Sequence, residues 1–379
     1  MRITLSDSVD FADLEPRWRD LEARADGSFF QGWTWTGCLA QERFPDPILV
    51  EATEDGRTIA LALFNRVRRR FGRSTLHLGE TGVASIDNLA IEYNGVLVET
   101  GRDPAIASAC LAAVIKGPLG LAGSVVLSAI DTKGLAALRA VAPRDHVTIS
   151  RQAPFLDLRP LRLPLGLPHC RPQGGAKEGD QDVFLAGRSA NTRQQIRRSD
   201  RAYAAEGPIG LRRAATVSEA IGFLGEMEAL HQASWTARGL PGSFADPFFG
   251  RFHRALIERA MPNEEVDLVR ITAGDGVVGV LYNFRYRGRS LAYQSGFNYG
   301  AAGKHHKPGM TCHHQAIRFA AARGLDFYDF LAGADRYKRS LADQEASLFW
   351  VEAGPCLSPR LLGLEIWRLG SRLAGRWRT

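Results

Sequence analysis

The sequence predicts an α/β (mixed α+β) protein built as two tandem halves, each a mixed, partly antiparallel sheet flanked by helices. Three observations carry this: the length, a strand-turn-strand pattern that occurs twice, and a Pro/Gly-dense stretch between the two occurrences. At 379 residues the chain exceeds the ~100 to 200 residues of a usual domain, so two compact units are expected. Residues 48–64 (ILVEATEDGRTIALALF) and 268–284 (LVRITAGDGVVGVLYNF) each alternate apolar and polar positions around an Asp-Gly dipeptide, the signal of a hairpin. Superposing Asp55-Gly56 on Asp275-Gly276 sets Leu61 on Leu281 and Phe64 on Phe284, and each hairpin is followed by a further β-like run, a Gly-containing loop and a helical pattern. Residues 159–180 lack any sustained period and are rich in Pro and Gly, which marks a connection. The expected division is a first half over 1–158, a linker over 159–180, a second half over 181–355 and a C-terminal helix over 356–379.

Composition narrows the class. Hydrophobic residues at 45% and charged residues at 23% are ordinary for a globular protein and exclude a long disordered tail. The amino-terminal segment has no apolar run behind a basic flank, so neither a signal peptide nor a membrane span is expected there. Cys38, Cys110, Cys170, Cys312 and Cys356 are scattered and form no C-x-x-C pair, which argues against a zinc ribbon or disulfide framework. A reducing cytoplasm and no metal follow as expectations. The net charge of +7 favours polyanionic partners: nucleic acid, phosphorylated cofactors or an anionic membrane face.

In the second half the elements read in order. Ser189–Tyr203 forms a strongly basic helix in which Arg193, Arg197 and Arg201 recur at i, i+4, i+8, a stripe that suits phosphate or carboxylate recognition, or a solvated charged face. Val217–Gln232 is amphipathic, with Ile221, Leu224, Met227, Leu230 and His231 on one stripe. After the second hairpin a β-run ends near Phe297, a Gly-rich loop follows, and a helix begins near Gly309–Met310, because Ile317, Ala320 and Ala321 keep helical spacing. The first amides of a helix have no intrahelical partner and the dipole adds about half a positive charge, so such a start attracts phosphate oxygens. Lys304, His305, His306 and Lys307 add charge at the same place.

This junction resembles the core of the GNAT superfamily, whose acyl-CoA site carries Q/R-x-x-G-x-G/A; here it reads His306-x-x-Gly309-x-Thr311, with His for Gln/Arg and Thr for Gly/Ala. Lys307-Pro308-Gly309, then Gly324 through Phe330, then Gly333-Ala334-Asp335-Arg336-Tyr337-Lys338 closely resemble the signature of the CelD-type, Fem-like tandem branch, and Arg188–Arg201 resembles its Arg-rich opening helix. Lys307 stands where that branch usually has Ser. The likeness spans roughly residues 180–350. It implies tandem GNAT-like domains and N-acyl transfer from an activated thioester, acyl-CoA or acyl-ACP (an acyl carrier protein), to an amine, without metal. Lys304, His306, Lys307, Gly309, Met310 and Thr311 then fall to the donor.

Amine acylation needs a base for the amine, a polarised carbonyl and a proton for the leaving thiolate. His231, His253, His305, His306, His313, His314 and Tyr337 are the candidates, with His306 and His313 favoured. Tyr337 and Lys338 lie in the most specific motif and suit donation to the leaving group or oxyanion, oriented by Asp329 and Asp335. Arg193, Arg197, Arg201, Tyr293 and Trp235 are the acceptor candidates. Leu362, Ile366, Leu369, Leu373 and Trp377 line one face of a C-terminal helix and Arg368, Arg372 and Arg376 another, a pattern of an anionic membrane surface binder or of a docked helix. With the aromatic run Phe29–Trp35 this points to a lipid amine such as a sphingoid base, the substrate of the branch's bacterial ceramide synthases, and to a cytoplasmic protein peripheral on the membrane. Two alternatives stay open: a Fem-like transferase using aminoacyl-tRNA, and a non-catalytic accessory protein of envelope polysaccharide assembly.

Overall fold

The computed structural model describes residues 1–68, 74–117, 123–142, 144–162, 182–301, 303–333 and 335–354. Most of the expected linker and the whole C-terminal helix over 356–379 lie outside the described residues. The chain divides into two units: Met1–Arg151 together with the chain from Ser347, and Gln152–Ala346. The expected halves broke after residue 158 and at residue 355. The difference arises because two strands, β7 and β13 below, each begin in one unit and end in the other.

The first unit runs β1 (Arg2–Ser6), α1 (Phe11–Arg24), α2 (Trp33–Arg43), β2 (Pro47–Glu54), β3 (Arg57–Arg68), β4 (Ser74–Leu78), β5 (Leu97–Val98), α3 (Ala105–Lys116), β6 (Ser124–Ile130), α4 (Thr132–Arg139) and the start of β7 (Arg144–Asp157). The second unit holds the end of β7, then α5 (Val183–Ala186), α6 (Ala190–Ala204), β8 (Ile209–Arg213), α7 (Val217–Thr236), α8 (Pro247–Ala260), β9 (Val266–Ala273), β10 (Gly276–Tyr286), β11 (Arg289–Phe297), α9 (Pro308–Ala322), β12 (Phe327–Asp329), α10 (Arg336–Leu341) and the start of β13 (Gln344–Gly354). In both units an antiparallel run (β1-β2-β3-β4; β8-β9-β10-β11) meets a parallel neighbour, β6 on β4 and β12 on β11, reached through α3 and α9 respectively.

The repeat extends to an irregularity. Each hairpin has one bulge two residues into its second strand: Thr53 opposes Thr58 and Ala52 opposes Ala60, while Thr272 opposes Val277 and Ile271 opposes Gly279. Asp55 and Gly56 both have positive φ, as a two-residue turn matched to strand twist requires. The second turn is instead centred on Gly274-Asp275, with Gly274 at φ 53° and Ala273 paired to Gly276. Bulge on bulge therefore places Ile59 on Val278, one residue from the superposition the Asp-Gly dipeptides suggest.

Each unit buries its own apolar cluster, the second formed among others by Leu156, Ile196, Leu281, Ile317, Tyr328 and Phe330. The aromatic run Phe29–Trp35 belongs to the core of the first unit: Phe29, Phe30, Trp33 and Trp35 are each 1% exposed, Phe30 packs edge to face with Phe29 and Trp35, and Trp33 lies tilted against Trp18. These rings therefore do not offer a surface to a lipid chain, contrary to the expectation from sequence. No helix among the described residues is long and apolar enough to cross a membrane.

Candidate active site

The second unit contains a cleft of about 880 Å³, bounded by the end of β11, the start of α9, one face of α6 and α10. Its position follows from the strand pairing. β11 pairs with β10 along its length but with β12 only over Arg289–Leu291, so its second half leaves that neighbour. The chain then turns into α9, whose first residue is Pro308, a side chain pre-set for a helix start and lacking the amide that would go unbonded. No side chain caps this helix.

The electrostatics are one-sided. Arg188, His306, Lys307, Arg336 and Arg339 line the cleft and no carboxylate does. Arg339 pairs with Glu345 at 3.2 Å, and Arg188 donates to the carbonyls of Leu341 and Ala342. Lys307 and Arg336 make no ion pair among the described residues. The Met310 and Thr311 amides donate to the Lys307 carbonyl, so at the α9 start the Gly309 amide joins these two side chains in an end suited to phosphate. Gly309 sits where close approach matters: a Cβ there would lie 3.3 Å from the Phe297 ring.

Of the residues expected to hold the donor, His306, Lys307, Gly309 and Met310 line this cleft. Lys304 is exposed and off it. Thr311 is fully buried, its hydroxyl bonded to Asp200 and Ser199. His306 folds the loop: Nδ1 accepts from the Gly303 amide, Nε2 lies 2.8 Å from Glu206, and the ring meets Tyr203 edge-on.

Tyr337 and His313 form a stack, with ring centroids 5.5 Å apart. Tyr337 lines the cleft, and burial raises its phenol pKa, so it stays protonated. His313 lies beneath it, bonded through Nδ1 to Tyr328, and burial lowers its pKa to about 3, so it is neutral. It does not line the cleft. Lys338 turns away and donates to the Ala332 carbonyl. Asp329 accepts from the Leu331 amide and from Arg289, holding Leu331 at φ 57°. Asp335 occupies the residue before α10 and is exposed. Lys338 and Asp329 thus brace the loop that leads to Tyr337.

The arginine stripe faces away from the cleft. Arg193 donates to Ala186 and Arg188 carbonyls, and Arg197 and Arg201 are exposed. The face of α6 that reaches the cleft carries Asn191, Thr192 and Gln195. Trp235 stacks on His231, which bridges Ser295 and Ser243, and Tyr293 bonds His253. Neither Trp235 nor Tyr293 lines the cleft. Reasoning from sequence missed Asn191, Gln195, Tyr299, Arg336 and Arg339. The signal for Arg336 and Arg339 lay in their flanking the Tyr337 motif. For Asn191 and Gln195 it lay in their i, i+4 spacing opposite the arginines.

One other group of ligand-type side chains occurs among the described residues, in the first unit: His77, Glu80 and Asp87 bring atoms within 4.8 Å of one another. Asp87 clamps its loop by accepting from Thr81 and Gly82 amides, and the Ser128 hydroxyl donates to Glu80. Burial, then the nearby Asp87 charge, raises the Glu80 pKa to about 8.

Residues 190–339, which supply most of the cleft, match the family described as Acetyltransferase (GNAT) domain. The chain carries a GNAT acyltransferase domain. Its fold is also that of solved proteins. The structure of FemX covers 92% of this chain and 97% of its own at TM-score 0.56 and 10% identity. L-PGS from Bacillus licheniformis covers 94% and 97% at TM-score 0.51 and 13% identity. At such identity these likenesses speak for the fold. No curated protein matches the chain in sequence. The GNAT assignment makes the protein an acyltransferase and implies an acyl donor and an amine acceptor.

Proposed function

We propose that the cleft binds the phosphorylated end of an acyl-CoA and that the enzyme transfers the acyl group to an amine. The observation that carries this is the cleft's charge: an uncapped helix start and four cationic side chains, Arg188, Lys307, Arg336 and Arg339, with no carboxylate among the lining residues. Donor phosphates meet the Gly309 amide, Lys307 and Arg336, and the thioester runs toward Tyr337. A neutral amine attacks the carbonyl carbon, the N–C bond forms and the C–S bond breaks. The Tyr337 hydroxyl passes its proton to sulfur and takes one from the acylated nitrogen, so it ends as it began. A phenol kept protonated by burial suits this relay.

The acceptor we infer is a lipid amine of the sphingoid type, on the basicity of the chain and the cationic amphipathic pattern of residues 362–377. Single-turnover acylation with acyl-CoA across an amine panel, including a sphingoid base and an amino sugar, tests both levels. Turnover of no amine with any acyl-CoA sinks the donor assignment, and turnover of the amino sugar alone sinks the lipid one. The same unbalanced charge suits the end of an aminoacyl-tRNA, the second reading, which ribonuclease-sensitive transfer would identify.

A further inference from the structure

Facing walls of the cleft come from α6 and the start of α9, and the seam joining these helices is polar and buried. His314 of α9 is clasped on both ring nitrogens, Nδ1 2.7 Å from Asp200 of α6 and Nε2 2.8 Å from Asp182, which precedes α5. The other Asp200 oxygen accepts from Thr311, Thr311 meets the Ser199 hydroxyl at 2.8 Å, and that oxygen accepts from the Lys307 amide at the head of α9. The bonds thus run unbroken from His314 to the residue before the helix start. Ser199 and Thr311 are fully buried and His314 is 3% exposed. An apolar seam could slide with little change in energy. A satisfied polar one has a single register, because each displaced partner would be left buried and unbonded.

We propose that His314 is a positioning residue for donor binding: held between Asp182 and Asp200, it fixes α9 against α6 and so sets the width of the cleft at its anion-binding end. This rests on the assignment of that cleft to the donor. The charged groups acting at the clasp are Asp182 ahead of α5, Asp200 from α6 and Arg318 one turn along α9, while Phe184 of α5 stacks on the ring. Burial opposes a charge on His314, yet the two carboxylates outweigh it and the pKa is raised. The clasp is therefore complete below the ordinary histidine value of 6.5 and is lost as pH rises through the raised one.

The test uses the full chain with His314→Gln and Thr311→Val, and Thr311→Ser as the conservative control. Amide hydrogen exchange over residues 306–312 is read without ligand, and CoA affinity by calorimetry from pH 6 to 9. Both disruptive variants are expected to exchange faster at the α9 start and to bind CoA about tenfold more weakly, the loss of roughly one hydrogen bond to a charged group. Turnover at saturating donor should stay within about twofold, and Thr311→Ser should match the wild type. Wild-type affinity should weaken as pH rises, and His314→Gln should remove that slope. Unchanged exchange and affinity in both variants overturn the proposal and leave the donor cleft intact. Uniformly faster exchange with unaltered CoA affinity also overturns it, as a purely structural role. A wild type that binds no CoA removes the donor assignment and this proposal with it.

Discussion

Gly309→Val tests the donor cleft most directly. Gly309 is the second residue of α9, and an added Cβ would lie 3.3 Å from Phe297 Cε2 and 3.5 Å from Cζ. Alanine is therefore tight but bearable if the ring yields by a few tenths of an ångström. The two further methyls of valine must push into Phe297 or stand over the residue's own amide, the one a phosphate would approach. Losing one charge-assisted hydrogen bond costs about 1.5–3 kcal/mol, so the dissociation constant for acyl-CoA should rise roughly ten- to hundredfold. Alanine should cost only severalfold. The helix itself should persist, since valine is no worse than glycine in a helix. Calorimetry with acyl-CoA beside melting curves reads both quantities. A folded valine variant with wild-type affinity would refute the placement of the phosphates at this helix start.

Tyr337→Phe should lower single-turnover acylation by ~10² to 10³ with little change in donor KM, as loss of a transition-state donor does, and a near-wild-type rate would remove Tyr337 from the chemistry. Lys338→Met should leave the rate per folded molecule and instead lower the melting temperature, because its ammonium ties the 331–333 loop through Ala332. Glu80→Gln addresses the first unit. Its folded pKa is raised from 4.5 to about 8, so its contribution is most favourable below the unfolded value and is lost as pH climbs toward the folded one. At pH 7 the deficit is about 3 kcal/mol, and the neutral variant should gain stability over the wild type progressively from pH 5 to 8. A pH-independent difference in melting temperature would contradict it.

Much of the second unit was legible in the sequence because its signals are local. Pro308, the apolar spacing of Ile317, Ala320 and Ala321, and the hairpin alternation are written within a few residues of the elements they specify. The side-chain roles were not. Lys338 and Asp329 sit in the most distinctive motif, yet their partners, Ala332 and Arg289, depend on how a strand end turns. His314 carried no local mark, since Asp182 and Asp200 lie over a hundred positions away and meet it only through helix packing. The arginine stripe misled because period alone tells which residues share a face and not which face turns to the cleft.

The path of the chain also has a consequence for how the protein is made. β13 lies beside β6, with Phe349 on Ile130 and Val351 on Leu127, and its Val351 and Ala353 belong to the first unit's core. Until residues 347–354 emerge from the ribosome, β6 has an open edge where that strand belongs, and an unpaired strand edge invites the wrong partner. The first half of the polypeptide must therefore wait through synthesis of the entire catalytic unit before its own sheet is complete, so amino-terminal folding cannot simply precede carboxyl-terminal folding. A gene cut after residue 158 would yield a fragment lacking a central strand, and the two units should be expressed as one chain.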